Sequence, residues 1–187
     1  MRHCCSKAPI SKRRRSERPF DCDMRIGLLS DTHGFLDPAI FNYFAECDEV
    51  WHAGDFGPFA ILEELERFKP LRGVWGNIDG DKVRAVVPCD LQWECEGLRV
   101  YMTHIGNDRS VREEIARYRP GLFICGHSHI LKVTRDPERN SIHMNPGAAG
   151  HHGWHKERTI LRFTVTNRKV SQLEAIQLGP RGSAKAT

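Results

Sequence analysis

The chain has 187 residues, 40% of them hydrophobic and 28% charged, which excludes a collagenous, a disulfide-framework or a membrane-embedded protein and suits one globular domain. The formal charge of +4 sits at the start: residues 1–23 hold seven Lys/Arg against three Asp/Glu, and the rest carries 21 of each sign. A neutral domain lacks the basic surface that tracks a phosphate backbone, so nucleic acid is disfavoured as a partner.

Residues 1–23, with Lys12, Arg13, Arg14, Arg15 and Arg18 near Pro9 and Pro19, show no apolar periodicity and are expected to be a disordered basic tail. A solvated tail, a basic arm, or a segment upstream of a true start at Met24 all fit it. No hydrophobic stretch follows the basic cluster, so it does not read as a signal peptide, and no apolar run nears the roughly 20 residues needed to span a bilayer. The seven cysteines, Cys4, Cys5, Cys22, Cys47, Cys89, Cys95 and Cys125, make no C-x-x-C pair and predict reduced thiols in a cytoplasmic protein.

From Arg25 onward β-rich runs alternate with amphipathic stretches. Strands are expected at Arg25–Leu29, Glu49–His52, Gly73–Trp75, Arg99–Thr103, Leu122–Cys125, Ser141–Met144, Thr159–Thr166 and Lys169–Ile176, and helices at Pro38–Ala45, Pro58–Phe68 and Ser110–Tyr118. This alternation predicts an α/β domain over residues 24–178. The C-terminal strands, joined by turns such as Asp136-Pro137, predict antiparallel pairing in a second sheet packed on the first. Residues 179–187 are expected to be a flexible C-terminal tail.

The informative pattern is at the strand ends. Five successive strands lead into Asp31-Thr32-His33, Gly54-Asp55, Gly76-Asn77, His104 and His127-Ser128-His129. Taken singly, each has an ordinary explanation: a helix cap, a tight turn, a left-handed asparagine, a near-core histidine. Together they line the carboxyl edge, where open α/β sheets form their ligand crevices. A donor set of carboxylate, imidazole and amide without thiolate suits divalent manganese, iron or zinc. Seven donors exceed one tetrahedral site, whereas two metals sharing a bridging Asp use them all, and such pairs serve displacement at phosphorus. His52 is expected to pack rather than ligate. His143, His151, His152 and His155 read as a polar loop over the site.

These blocks resemble the calcineurin-like metallophosphoesterase superfamily, and within it the small bacterial and archaeal phosphodiesterases of the YfcE type, from about Met24 to Ile176. The resemblance implies a four-layer α/β/β/α sandwich with two mixed sheets. One metal would be held by Asp31, His33, Asp55 and His129, the other by Asp55, Asn77, His104 and His127, with manganese first and iron, zinc or nickel as alternatives. Asn145-Pro146-Gly147 matches a family turn that closes the site. Two departures stand out: Ile78 replaces a histidine that many members carry after the asparagine, as in the small phosphodiesterase branch, and Ile105 separates His104 from Gly106. The expected reaction is in-line attack on a small phosphate ester by a hydroxide bridging the metals, with no proton donor assigned. The rivals are a non-catalytic protein-binding scaffold of the same fold and a phosphomonoesterase or protein phosphatase.

Overall fold

The computed structural model describes residues 23–182. Apart from Asp23, the expected basic tail lies outside the described residues, as does the C-terminal tail from residue 183. The elements run β1 (Met24–Leu29), α1 (Ala39–Tyr43), β2 (Glu49–His52), α2 (Phe59–Phe68), β3 (Leu71–Gly73), α3 (Asp81–Arg84), β4 (Asp90–Cys95), β5 (Leu98–Thr103), α4 (Arg109–Tyr118), β6 (Leu122–Ile124), β7 (Leu131–Asp136), β8 (Ser141–Pro146), β9 (Glu157–Thr166) and β10 (Lys169–Pro180).

They form two five-stranded sheets ordered β10-β9-β1-β2-β3 and β4-β5-β6-β8-β7. Both are mixed. β1, β2 and β3 are parallel, β9 runs antiparallel to β1 and β10 antiparallel to β9, and β5, β6 and β8 are parallel between antiparallel edges β4 and β7. Side chains of period two divide each strand between two cores. Ile26, Leu28, Trp51, Leu161 and Phe163 from the first sheet meet Val100, Met102, Leu122, Ile124 and Met144 from the second. Leu29, Val50 and Ile160 instead face Ile40, Phe44, Ile61, Leu62 and Leu65 of the α1–α2 layer. Tyr101 and Phe123 face Val111 and Ile115 of α4. The layers are therefore α/β/β/α, as the family resemblance implies.

The C-terminal strands depart from expectation. β9 and β10 return to the first sheet rather than building the second, because seven of the ten β9 residues are buried, on both faces, and the strand needs a neighbour on each side. β10 also continues to Pro180, past the expected boundary at residue 178, where Arg158 donates to the carbonyls of Leu178 (2.8 Å) and Pro180 (3.3 Å). The third strand pairs over Leu71–Gly73 instead of Gly73–Trp75, since the Trp75 N–H turns away to the Pro88 carbonyl. β4 and β7 have no counterpart in the expected strands; β7 alternates Leu131 and Val133 with Lys132 and Thr134 but is exposed along nearly its whole length.

One contact sets how closely α1 approaches the first sheet. The Phe44 ring lies over Gly27, where an added Cβ would come within 2.5 Å of ring carbon. Gly27→Ala is expected to cost about 1–3 kcal/mol through overpacking, seen as a lower urea midpoint with an unchanged m-value. An unaltered midpoint would show that α1 is not held at this spacing.

Candidate metal centre

The loops that leave the strands are bonded to one another before any side chain is considered. The ladder between β1 and β2 continues outward, with Asp31 N–H donating to the Gly54 carbonyl (3.0 Å), His33 N–H to Asp55 (3.0 Å) and Gly34 N–H to Phe56 (2.9 Å). In the second sheet Gly126 N–H likewise donates to the His104 carbonyl (3.0 Å), and Ala149 N–H crosses to the Ser30 carbonyl at the end of β1 (2.9 Å). Asp31, His33, Asp55, His127 and His129 all have positive φ, between 47° and 67°. Such angles are uncommon outside glycine and cost energy for branched or bulky residues, so five of them at one locus mark a site whose geometry is imposed by its surroundings. Asn77 and His104 are not strained in this way.

The seven predicted side chains converge. His129 Nε2 lies 3.1 Å from Asp31 Oδ1 and 3.3 Å from His33 Nε2. His33 Nε2 is 3.5 Å from Asp55 Oδ2, which is 3.3 Å from His104 Nε2. Asn77 Oδ1 is 3.1 Å from His104 Nε2 and 2.9 Å from His127 Nδ1. Two clusters satisfy the spacing of a metal site, Asp31 with His33 and His129, and Asp31 with Asp55 and His104. Asp31, Asp55 and His104 form a buried floor, while Asn77 and His127 form an exposed rim.

The protonation pattern shows whether a cation fits. His104 Nδ1 lies 2.8 Å from the Ala53 carbonyl, which can only accept, so Nδ1 carries the hydrogen and Nε2 offers a lone pair to the site. His155 Nε2 likewise donates to the Gly150 carbonyl (3.0 Å), and its Nδ1 lies 3.3 Å from His129 Nδ1. Asp31 Oδ1 is buried without a hydrogen-bond partner although three imidazole Nε2 atoms surround it at 3.1, 3.9 and 4.0 Å. A divalent cation would satisfy a buried carboxylate oxygen in that position. Burial works against ionisation of Asp55, but the His104 ring and the Ile78 N–H hold its pKa below the usual carboxylate range. Burial would likewise lower the pKa of His104, yet Asp55 and Asp31 raise it, so the cluster draws in positive charge. These residues fit a divalent ion at each cluster.

Groups outside the predicted ligand set shape the site. Asp79 is 3% exposed and accepts the N–H groups of Asp55 (3.0 Å), Gly76 (2.8 Å) and Gly57 (2.8 Å), tying the Asp55 loop to the Asn77 turn. A Cβ on Gly76 would come within 2.0 Å of Asp55 Oδ1, so only glycine admits the carboxylate there. The expected Asn145-Pro146-Gly147 turn is present, and Asn145 Nδ2 donates to the Gly126 carbonyl (2.8 Å) and Ser128 Oγ (3.1 Å), bracing the loop that carries His127 and His129.

The remaining histidines divide. His52 is fully buried, stacks on Phe56 at 3.7 Å, accepts the Gly54 N–H (3.1 Å) and meets Thr32 Oγ1 (3.1 Å); burial pushes its pKa down to about 3. It packs, as its sequence position suggests, and stays neutral. His143 lies within the expected strand, on β8 opposite Phe123, with Nε2 3.2 Å from Cys125 Sγ, and so is not part of a loop over the site. His151 packs at a tilt against Phe35 (4.0 Å), His152 lies 4.9 Å from the His33 ring, and His155 touches His129. Burial lowers the pKa of His155.

Known proteins bear on this geometry. The family model of the calcineurin-like phosphoesterase superfamily domain matches residues 24–168. A protein of Methanothermobacter thermautotrophicus named as a probable metallophosphoesterase is 30% identical over 135 residues, covering 67% of this chain and 77% of its own length. A phosphodiesterase of Methanocaldococcus jannaschii is 29% identical over 126 residues, covering 57% and 74%. Among solved structures, a novel archaeal phosphodiesterase superposes with a TM-score of 0.69 at 24% identity over 83% of this chain and all of the other. Vps29 of Chaetomium thermophilum superposes with a TM-score of 0.66 at 14% identity over 84% and 99%. At those identities the two structures share the fold with this protein. With its residues 24–168 matched by the family model, the chain belongs to the calcineurin-like phosphoesterase superfamily.

Proposed function

We propose that the protein is a metal-dependent phosphodiesterase in which Asp31, His33, Asp55 and His129 hold one divalent ion and Asp55, Asn77, His104 and His127 hold a second. The observation that carries this reading is Asp31 Oδ1, buried and without a hydrogen-bond partner although three imidazole Nε2 atoms lie within 4.0 Å of it. Oxygen and nitrogen donors without thiolate favour manganese, with iron, zinc or nickel as alternatives. When bound, such a pair supplies a hydroxide nucleophile near neutral pH and neutralises charge on the phosphoryl oxygens.

The chain's own groups define the rest. Asp55 Oδ2 lies 3.5 Å from His33 Nε2 and 3.3 Å from His104 Nε2, between the two proposed ligand sets, and would bridge them. The Asn77 amide oxygen faces His104 and His127, which leaves its NH2 group free to donate to a phosphoryl oxygen. Ile78 is half exposed at the rim and offers no proton, so a leaving alcohol departs without protonation from that position. That favours esters with good leaving groups. Beside Asn77 a cleft of about 370 Å³, lined by Trp75, Tyr101 and Ile105 together with Asp90, Asp108 and Glu114, has room for the uncharged organic part of a small ester.

The likeness to Vps29 supports a second reading, a protein-binding scaffold of the same fold. Metal binding and turnover separate the two. Manganese at a hundredfold excess over its dissociation constant is expected to stabilise the wild-type protein by about 2.7 kcal/mol per site, measured as a rise in thermal midpoint that EDTA reverses. Asp55→Ala should lose most of that rise. It should also hydrolyse an aryl phosphodiester in manganese buffer about a thousandfold more slowly, equivalent to about 4 kcal/mol of transition-state stabilisation. Full activity in Asp55→Ala would refute the bridge, and a wild type that binds manganese without hydrolysing any ester would favour the scaffold.

A further inference from the structure

The segment after β8 returns to the metal cluster in a way the seven ligands alone do not require. Ala149 and Gly150 donate to the carbonyls of Ser30 (2.9 Å) and Asp31 (3.1 Å), which seats this segment against the end of β1. A Cβ on Gly150 would come within 2.1 Å of the Thr32 carbonyl oxygen, so the approach is as close as backbone permits. Five residues further on, His155 reaches back with both ring nitrogens engaged, Nε2 at 3.0 Å from the Gly150 carbonyl and Nδ1 at 3.3 Å from His129 Nδ1. Gly153 passes beside the two rings with φ of +118°, and any Cβ there would lie 2.1 Å from His129 Nδ1 and 3.2 Å from His155 Nδ1. The loop is shaped around this imidazole pair.

The direction of the proton between the rings follows from the carbonyl. Gly150 can only accept, so His155 Nε2 carries its hydrogen, and the neutral ring then has a bare Nδ1. The hydrogen shared by the two rings must belong to His129 Nδ1. His129 is thereby committed to the tautomer whose Nε2 lone pair points at Asp31 Oδ1 (3.1 Å) and toward His33 Nε2 (3.3 Å). His104 reaches the same tautomer through the Ala53 carbonyl, so the two histidines are primed by different means.

We propose that His155 is a positioning residue of the metal centre: its Nδ1 accepts the Nδ1–H of His129 and fixes the tautomer and ring plane in which His129 presents Nε2 to the ion it shares with Asp31 and His33. The proposal rests on the two-ion reading and adds to it a residue that touches neither ion nor substrate. Hydrogen bonds of this kind to a ligating histidine strengthen metal affinity by about 10–100-fold.

Three substitutions separate positioning from simple anchoring of the loop. Asparagine at position 155 keeps an acceptor near the place of Nδ1, glutamine keeps a donor near the place of Nε2, and alanine keeps neither. Calorimetric titration of each metal-free full-length variant with manganese reads the affinity and the number of ions bound. The expectation is that His155→Ala and His155→Gln weaken one of the two ions by about 10–100-fold, while His155→Asn stays within a few-fold of wild type and the other ion is unaffected throughout. Rescue by glutamine and not asparagine would overturn the proposal in favour of loop anchoring, as would wild-type affinity in all three. Should the variants fail to fold, nitrogen NMR of the wild-type imidazoles decides the same question: a hydrogen on His129 Nδ1 and on His155 Nε2 supports the proposal, and the reversed pattern overturns it. A wild type that binds no manganese at all would instead remove the two-ion reading on which the proposal stands.

Discussion

Two buried carboxylates that face imidazole rings govern the chemistry of this molecule. Asp31 is fully buried and Asp55 is 2% exposed, and ionised carboxylates in such positions need a counter-charge or a full set of donors. Asp31 Oδ2 receives the His127 N–H at 3.2 Å and Asp55 Oδ1 the Ile78 N–H at 3.1 Å, but the other oxygens face imidazole nitrogens. Those of His104 and His129 have their hydrogens directed outward, to a carbonyl and to another ring. The backbone accepts five left-handed non-glycine residues to keep this arrangement, a cost that only a function repays. The proposed pair of divalent ions resolves the imbalance.

The fold explains why the imbalance is stable. Asp31, His33, Asp55 and Asn77 leave the first sheet, whereas His104, His127 and His129 leave the second. The site therefore straddles the two sheets, and the distance between its halves is set by the apolar layer beneath it. Trp51 fills that layer, meeting Trp93 of the facing sheet edge-on at 4.8 Å and Phe163 of its own at 5.6 Å. Rigid packing between the sheets is what lets donors from loops hold a fixed geometry. The cross-bonds Gly126 to His104 and Asn145 to Gly126 then lock the second half, and Asp79 locks the first.

Much of this is legible in the amino-acid sequence. The ligand candidates stand at strand ends in chain order, and a β-strand followed by Asp-x-His or His-x-His carries its signal locally, in the periodicity before it and the residue types within it. The burial of His52 is readable for the same reason, since its face of β2 alternates with that of Trp51. What is not legible depends on partners distant in the chain. Asp79 looks like one more turn residue until three N–H groups from two separate segments are found around it. His155 reads as one of four histidines in a polar segment, and nothing in its spacing pairs it with His129, 26 residues earlier. The C-terminal strands fall in the other sheet from the one their sequence suggests, because hairpin patterning predicts the partner of β10 but not which existing edge β9 will join.

The most direct test is crystallographic. A manganese-soaked crystal measured at the metal's absorption edge should show two anomalous peaks about 3.5–4 Å apart. One should be bounded by Asp31, His33 and His129 and the other by Asn77, His104 and His127, with the Asp55 carboxylate between them. A single peak elsewhere on the surface, or none at the strand ends, would contradict the account.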